Sequence, residues 1–360
     1  ELRFGAGENP SAFTVPGLDD EFEDSLTLMM ELINNPITDQ STLDQLKGIL
    51  IKSRNDQKSS PPAIAQALYM YNRYGEESPL LEALTTQQIL DTNLDELASL
   101  PSSLLEYQQT IAYTGSMPLE ELVEVLRSKY PVQGELQTTP QYRFRTARSV
   151  EETELKVVDQ QTAQAQVRIE FADGVYNPDD TVLSSIYTNY FGSGMSSVVF
   201  QELREARALA YSAQARYSQG GRQNAENLML GVIGTQTDKT VDALTAFLDL
   251  IDNMPRSSER FEESVNSLLN RYRTAKLNFR EVIGAVRSWE RLGFEADPRR
   301  ERFQQLQNAS LDDLLAFQQE HVQNRAKLIS IVGDLSIIDA GELEQFGSVE
   351  EVQVEQLFVE

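Results

Sequence analysis

The feature that most constrains the fold of this chain is an internal repeat. Four landmarks of the first half recur in the same order 217 to 219 residues later. They are Pro36 with Pro255, Arg54 with Arg273, Leu94 with Leu311, and Gly115 with Gly333. One offset shared by four ordered landmarks is typical of a duplicated unit, so each half is expected to contain a copy of one structural repeat.

The two repeats are expected to differ in length, because residues 150–216 have no counterpart in the first half. Either the chain is a fragment of a longer one, or its first repeat has lost the opening strands and helix. The sequence predicts a truncated first repeat over residues 1–130 and a complete second repeat over residues 150–360. Between them, residues 131–149 are polar without a clear period, which favours a linker.

Hydrophobic periodicity predicts helices in the first half and mixed helices and strands in the second. First-half helices are expected over 19–34, 42–54 and 63–74, with strands over 1–16 and 110–114. In the second half, alternation of apolar and polar residues predicts strands over 155–159, 165–171, 227–233 and 328–332.

The central stretch of the chain runs from Tyr190 to Tyr217. A Gly-Ser-Gly turn at 192–194 precedes a predicted helix, and strict alternation begins at Tyr211. This places Arg204 near the end of the helix and Tyr211 at the start of the strand, seven residues apart. A corner of this kind can bring a guanidinium group and a phenol together. The residues alone equally allow a surface ion pair of Arg204 with Glu202 or Glu205, and a structural role for Tyr211.

Composition excludes several classes of function. The formal net charge of −25 argues against nucleic acid as a partner, because phosphate contacts need a basic surface. The chain has no cysteine, which excludes disulfides and thiolate metal sites, and no apolar run long enough to span a membrane is expected. Its one histidine, His321, ends the sequence Phe-Gln-Gln-Glu-His, whose last two residues match the zinc-binding motif H-x-x-E-H. The first position of that motif is Phe317 here, and phenylalanine cannot bind zinc. We expect His321 to be a solvated or helix-capping residue.

The central stretch resembles the pitrilysin/insulinase family of zinc metallopeptidases. The matching features are a small-residue turn, then Ser-x-Val-Phe-x-Glu-Leu-Arg ending at Arg204, then Leu-Ala-Tyr-Ser around Tyr211. Gly-Thr-Gln-Thr-Asp-Lys at 234–239 and Gly-Phe-Glu-Ala-Asp-Pro at 293–298 are similar to the non-catalytic C-terminal half of large bacterial members. Ala-Leu-Tyr-Met-Tyr-Asn-Arg-Tyr-Gly at 67–75 fits the preceding repeat.

The resemblance implies an α+β fold of tandem repeats, like that of the mitochondrial processing peptidase, with helices packed on one face of a mostly antiparallel sheet. In this family zinc is bound by H-x-x-E-H in one half of the molecule, while the other half has lost the motif. The present chain lacks H-x-x-E-H, so no metal or cofactor is expected in it and it is predicted to be inactive alone. Zinc is expected in a catalytic half, in the same polypeptide or in a partner subunit.

The resemblance also suggests a catalytic contribution from this half. In the family, an arginine and a tyrosine at this spacing reach toward the scissile bond, so Arg204 and Tyr211 are the predicted assisting residues. The predicted function is an inactive half that encloses a peptide substrate and donates these two side chains to the zinc site. The alternative is a non-enzymatic scaffold or peptide-binding module of the same fold. The missing cysteines and the bacterial resemblance suggest the periplasm or cell envelope.

Overall fold

The computed structural model describes residues 2–5, 11–130 and 134–360. Within them the strands are β1 (Arg3–Gly5), β2 (Ala12–Thr14), β3 (Glu154–Asp159), β4 (Gln164–Val175), β5 (Ser212–Ser218), β6 (Glu226–Gln236), β7 (Leu328–Gly333) and β8 (Ser348–Glu351). The α-helices are α1 (Phe22–Asn34), α2 (Gln40–Gln57), α3 (Pro61–Tyr74), α4 (Thr86–Asp91), α5 (Leu94–Ser103), α6 (Leu119–Lys129), α7 (Thr181–Tyr187), α8 (Thr240–Asp252), α9 (Ser258–Thr274), α10 (Val282–Arg291), α11 (Arg299–Asn308), α12 (Leu311–His321) and α13 (Ala340–Leu343). None of these helices has the length and apolar character that a bilayer crossing requires.

The chain forms two compact units, one of residues 1–54 with 84–145 and one of residues 55–83 with 146–360. Helix α3 therefore belongs to the second unit, although it lies early in the sequence. These units are defined by contacts and not by the internal repeat, so they do not test the repeat boundaries at 130 and 150, which stay a prediction. Part of the predicted linker, residues 131–133, and part of the first predicted strand region, residues 1 and 6–10, lie outside the described residues.

The first unit is mainly helical. Its described residues contain strands only in the antiparallel hairpin of β1 with β2. The strand expected over 110–114 is wrong, since this segment has no regular structure and Ile111 is half exposed. An isolated extended segment gains no ladder hydrogen bonds, and the described part of this unit offers it no neighbouring strand.

The second unit contains a six-stranded sheet in the order β5-β6-β4-β7-β3-β8. The pairs of β5 with β6, β6 with β4 and β4 with β7 are antiparallel, while β3 pairs in parallel with β7 and β8. Helices α7, α8, α9 and α12 supply buried side chains to the main core, together with one face of β4. The predicted α+β class with a mostly antiparallel sheet is confirmed.

The two faces of the sheet are set by alternation along β4. Val167, Ile169 and Phe171 point into the main core and are at most 4% exposed. The residues between them, Arg168 and Glu170, point to the opposite face, where they contact side chains of α3. Helix α3 therefore covers part of this second face, through an apolar cluster that includes Ile64, Leu68 and Val332 of β7.

Two π-helical segments flank the Gly-Ser-Gly turn: the first, Thr188–Gly192, leads into it, and the second, Phe200–Ala206, belongs to the helix predicted after it. The first segment packs against the edge strand β5, where the Thr188 hydroxyl bonds both backbone groups of Tyr217 at 3.1 Å. Gly192 lies directly on this strand, because an added Cβ atom would lie 2.0 Å from the carbonyl oxygen of Ala215. The edge of β5 is therefore covered at this point.

We expect Gly192→Ala to lower the free energy of unfolding by about 1–3 kcal/mol, since the backbone of β5 or of the π-helical segment must move to admit the methyl group. Urea denaturation measures the change. Gly284→Ala is the matched control, because a Cβ atom at Gly284 in α10 meets nothing within 4 Å. There alanine should stabilise its helix by up to about 1 kcal/mol. Equal effects at both glycines would contradict the close packing at Gly192.

Candidate functional site

Tyr211 directly precedes β5, and both its backbone and its side chain contact neighbouring strands. Its backbone amide donates to the carbonyl oxygen of Gly234 at 3.0 Å, and its ring crosses that glycine. A Cβ atom at position 234 would lie 2.5 Å from the phenol oxygen, so only glycine leaves room for the ring. Gln166 on β4 donates from Nε2 to the phenol oxygen at 2.8 Å. The side chain of Tyr211 is nevertheless 42% exposed.

This arrangement determines what the Tyr211 hydroxyl can do. A phenol has one proton to donate and oxygen lone pairs to accept with. Since Gln166 occupies the accepting side, the proton of Tyr211 stays free to donate to a further group. Tyr211 is thus a positioned hydrogen-bond donor whose side chain is about half exposed.

Arg204 lies in the second π-helical segment with its side chain 48% exposed. Its Nε atom is 3.7 Å from a carboxylate oxygen of Glu205, and its guanidinium carbon is 4.9 Å from the centre of the Phe200 ring. A pair this long between exposed side chains contributes little to stability. The guanidinium group therefore remains accessible to a carbonyl or carboxylate ligand.

The structure gives the two predicted residues different partners. Arg204 contacts neighbours on its own helical segment, whereas Tyr211 contacts β4 and β6. Both lie in the corner between that segment and β5, as the sequence predicted, and both are about half exposed. Their assignment as assisting catalytic residues stays a prediction.

His321 is not the solvated or capping residue that the sequence suggested. It ends α12 with its side chain only 16% exposed, and its Nδ1 atom lies 2.7 Å from Oδ2 of Asp173. The buried carboxylate of Asp173 also accepts from the Tyr217 hydroxyl at 2.7 Å and forms an ion pair with Arg325 at 2.7 Å. This prediction was wrong because the partners lie far away in sequence and a residue pattern does not reveal them.

The surroundings of His321 do not suit a zinc ion. Phe317, one turn earlier on α12, is buried in the core, and Nδ1 of His321 is committed to Asp173. The positive guanidinium group of Arg325 on the same carboxylate would also repel a cation. In the described ranges, no group of three histidine, aspartate or glutamate side chains could hold a metal ion.

A second buried polar cluster links α3 to β4. The Tyr69 hydroxyl donates to Glu170, and Arg73 donates to the Tyr69 hydroxyl at 2.9 Å and lies 3.4 Å from the same glutamate oxygen. Burial raises the pKa of Glu170, while the Arg73 guanidinium opposes that shift. The segment 67–75, noted only as a family resemblance, therefore anchors α3 to the sheet. In the sequence, this anchor is visible only as Tyr69 and Arg73, four residues apart and so on one face of a helix.

Buried tyrosines make the stability of the second unit depend on pH. Burial raises the pKa of Tyr217, and its hydrogen bond to Asp173 adds to this effect; burial also raises the pKa of Tyr69 and Tyr187. In the unfolded chain a tyrosine loses its proton near pH 10. In the folded protein a buried tyrosine with a raised pKa still keeps its proton at that pH. The stabilisation is therefore complete below about pH 10 and is lost as the pH rises further.

We expect the urea midpoint to fall between about pH 10 and 12, with each such tyrosine contributing a slope of up to about 1.4 kcal/mol per pH unit. Tyr217→Phe should flatten this slope, because the variant has one ionisable phenol fewer in the core. An identical alkaline slope in the wild type and in the variant would contradict the assignment.

Part of the chain matches a known protein family. Residues 108–268, which contain the central stretch, match the family model described as the peptidase M16 inactive domain. No curated protein sequence matches the chain.

Solved structures share the fold of nearly the whole chain. A peptidase M16 inactive domain from Pseudomonas fluorescens is 15% identical with a TM-score of 0.67, over 93% of this chain and 81% of that one. The ferredoxin protease FusC, solved in complex with Arabidopsis ferredoxin, is 14% identical with a TM-score of 0.70, over 93% of this chain and 37% of its own. A chain of complex III2 from Candida albicans is 13% identical with a TM-score of 0.61, over 93% and 82%. The resemblance to the non-catalytic half of the pitrilysin-type peptidases is therefore confirmed for residues 108–268, which match the inactive domain of the peptidase M16 family, and the solved structures share its fold.

Proposed function

We propose that this chain is the zinc-free half of a pitrilysin-like metallopeptidase, which closes around a peptide and presents Arg204 and Tyr211 to a catalytic half that carries H-x-x-E-H. The observation that carries this proposal is the Tyr211 phenol, which is held across Gly234 by Gln166 with its own proton free and its side chain 42% exposed. The inactive-domain match over residues 108–268 supports the same assignment.

The chemistry of peptide hydrolysis gives both side chains a role. When water attacks a peptide carbonyl, negative charge develops on the carbonyl oxygen, and a fixed hydrogen-bond donor stabilises that charge. The Tyr211 hydroxyl is such a donor, because Gln166 fixes its oxygen and Gly234 fixes its ring. Arg204 is always charged and can hold a neighbouring carbonyl of the substrate.

Zinc belongs to the other half in this proposal. A bound zinc ion supplies an activated water molecule and polarises the carbonyl group. The residues around His321 do not fit that ion, so this chain contributes side chains and an enclosing surface only. The partners are thus the H-x-x-E-H half and a peptide substrate. We propose the periplasm or cell envelope of a bacterium as the location, for which the absence of cysteine is the supporting feature.

A second candidate is a scaffold without chemistry. The similarity to a chain of complex III2 from Candida albicans supports it, because that chain has the same fold within a larger assembly. A scaffold would need neither Arg204 nor Tyr211 to face a substrate.

The test is reconstitution. The H-x-x-E-H half, from the same polypeptide or from a neighbouring gene, is assayed on fluorogenic peptides alone and with an equimolar amount of this chain. We expect cleavage to require both, since the pair that stabilises the developing charge resides here. Full activity of the catalytic half by itself, or a partner without H-x-x-E-H, would favour the scaffold.

A further inference from the structure

A groove of about 500 Å³ lies between α7, α9 and α11 of the second unit, and its lining includes neither Arg204 nor Tyr211. Its volume is within the range of roughly 300–1,000 Å³ that is typical of small-molecule sites. The floor is apolar and consists of Val182, Leu268, Phe303 and Leu306. Of these, Val182, Leu268 and Leu306 belong to the main core, and Phe303 packs against it.

Basic side chains line the mouth of this groove. Arg271 of α9 and Arg299 and Arg300 of α11 all line it, in a chain whose net charge is −25. Asp297 is the one acidic side chain of the lining, and Arg299 binds it through Nε at 2.9 Å. Among the residues that the structure describes, no carboxylate pairs with Arg271 or Arg300. A surplus of positive charge in an acidic protein marks a preferred position for an anion.

Tyr272, which also lines the groove, adds a hydrogen-bond donor. Its ring packs edge-on against Phe303, with ring centres 6.2 Å apart. Burial raises the pKa of its phenol, and the positive charges of Arg302, Arg271 and Arg299 oppose that shift, so the hydroxyl lies within their field. The N-terminus of α11, which begins at Arg299, adds a positive partial charge at the same place.

We propose that this groove binds an organic carboxylate with its charged group at Arg271, Arg300 and the Tyr272 hydroxyl and its apolar group on the floor. The free C-terminus of a short apolar peptide and a medium-chain fatty acid share this chemistry. The site does not depend on the proposed peptidase role, because none of its residues belongs to the Arg204–Tyr211 corner.

Equilibrium dialysis of the whole chain against radiolabelled octanoate tests the proposal, with acetyl-Ala-Leu-Phe and its C-terminal amide as competitors. We expect saturable binding of octanoate that weakens as salt rises from about 20 mM to about 500 mM. Arg271→Gln and Arg300→Gln should each weaken binding about fivefold, and the double variant about 20-fold, as expected for charge-assisted hydrogen bonds at a half-exposed site. Arg256→Gln is the control, because this exposed arginine pairs with Asp312 outside the groove.

Competition by the peptide acid and not by its amide identifies a peptide end as a ligand, whereas octanoate binding without peptide competition identifies a fatty acid; both outcomes support the site. No saturable binding of octanoate at concentrations up to about 10 mM would overturn the proposal. So would equal binding by the wild type and the folded double variant, or equal competition by the acid and the amide.

Discussion

We expect Tyr211→Phe to lower the peptide turnover of the assembled enzyme about 100-fold, because loss of one fixed donor to a developing negative charge typically costs a factor of ~10²–10³. The variant keeps the aromatic ring across Gly234 and loses only the hydroxyl that Gln166 positions. Substrate binding should change little, since the interaction is made mainly in the transition state, and kcat should therefore fall more than KM rises. Steady-state kinetics on a fluorogenic peptide measure both constants.

The control for this prediction is Tyr142→Phe. Tyr142 is 44% exposed, close to the 42% of Tyr211, but lies in the first unit. Its loss of a hydroxyl should leave turnover unchanged. Circular dichroism and zinc analysis establish that both variants remain folded and loaded. A Tyr211→Phe enzyme with wild-type kcat would make the phenol a structural contact of the sheet and remove the main support for a shared active site.

The second large effect concerns stability. We expect Asp173→Ala to lower the free energy of unfolding by about 3–5 kcal/mol, because one buried carboxylate is hydrogen-bonded to Tyr217 and His321 and forms an ion pair with Arg325. Removing it leaves three polar groups without their partner, two of them on side chains that are largely buried. Urea denaturation at neutral pH measures the change.

Asp312→Ala is the matched control for this effect. Asp312 also pairs with an arginine, Arg256, but its side chain is 77% exposed. Water screens such a pair, so we expect a loss of less than about 1 kcal/mol. A similarly small loss for Asp173→Ala would mean that the cluster around His321 does not stabilise the fold.

Local patterns predicted much of the second unit. The alternation from Tyr211 to Tyr217 predicted β5, because a strand with one buried face must place apolar residues at every second position. The strand predicted over 110–114 does not form, and no strand pairs with this segment among the described residues. Strand formation depends on a partner, and the partner is a property of the whole fold.

The candidate site was predicted only in part for the same reason. Arg204 and Tyr211 were identified through a resemblance within one continuous segment. Gln166, which fixes the Tyr211 phenol, lies 45 residues away and has no local signal. Asp173 was also missed, since it contacts His321 across 148 residues. A short motif therefore predicted the candidate side chains, whereas the residues that position them depend on the register of β4 and its neighbours.

A shared active site is tested by the cleavage rate of the H-x-x-E-H half measured with the wild-type chain and with the Arg204→Ala/Tyr211→Phe double variant. Binding of both chains to the catalytic half is verified first, so that a loss of assembly is not mistaken for a loss of chemistry. If this chain supplies part of the active site, the double variant assembles normally and cleaves at least about 100-fold more slowly. Equal cleavage rates with the two chains would contradict the account and make this half an enclosure or a scaffold.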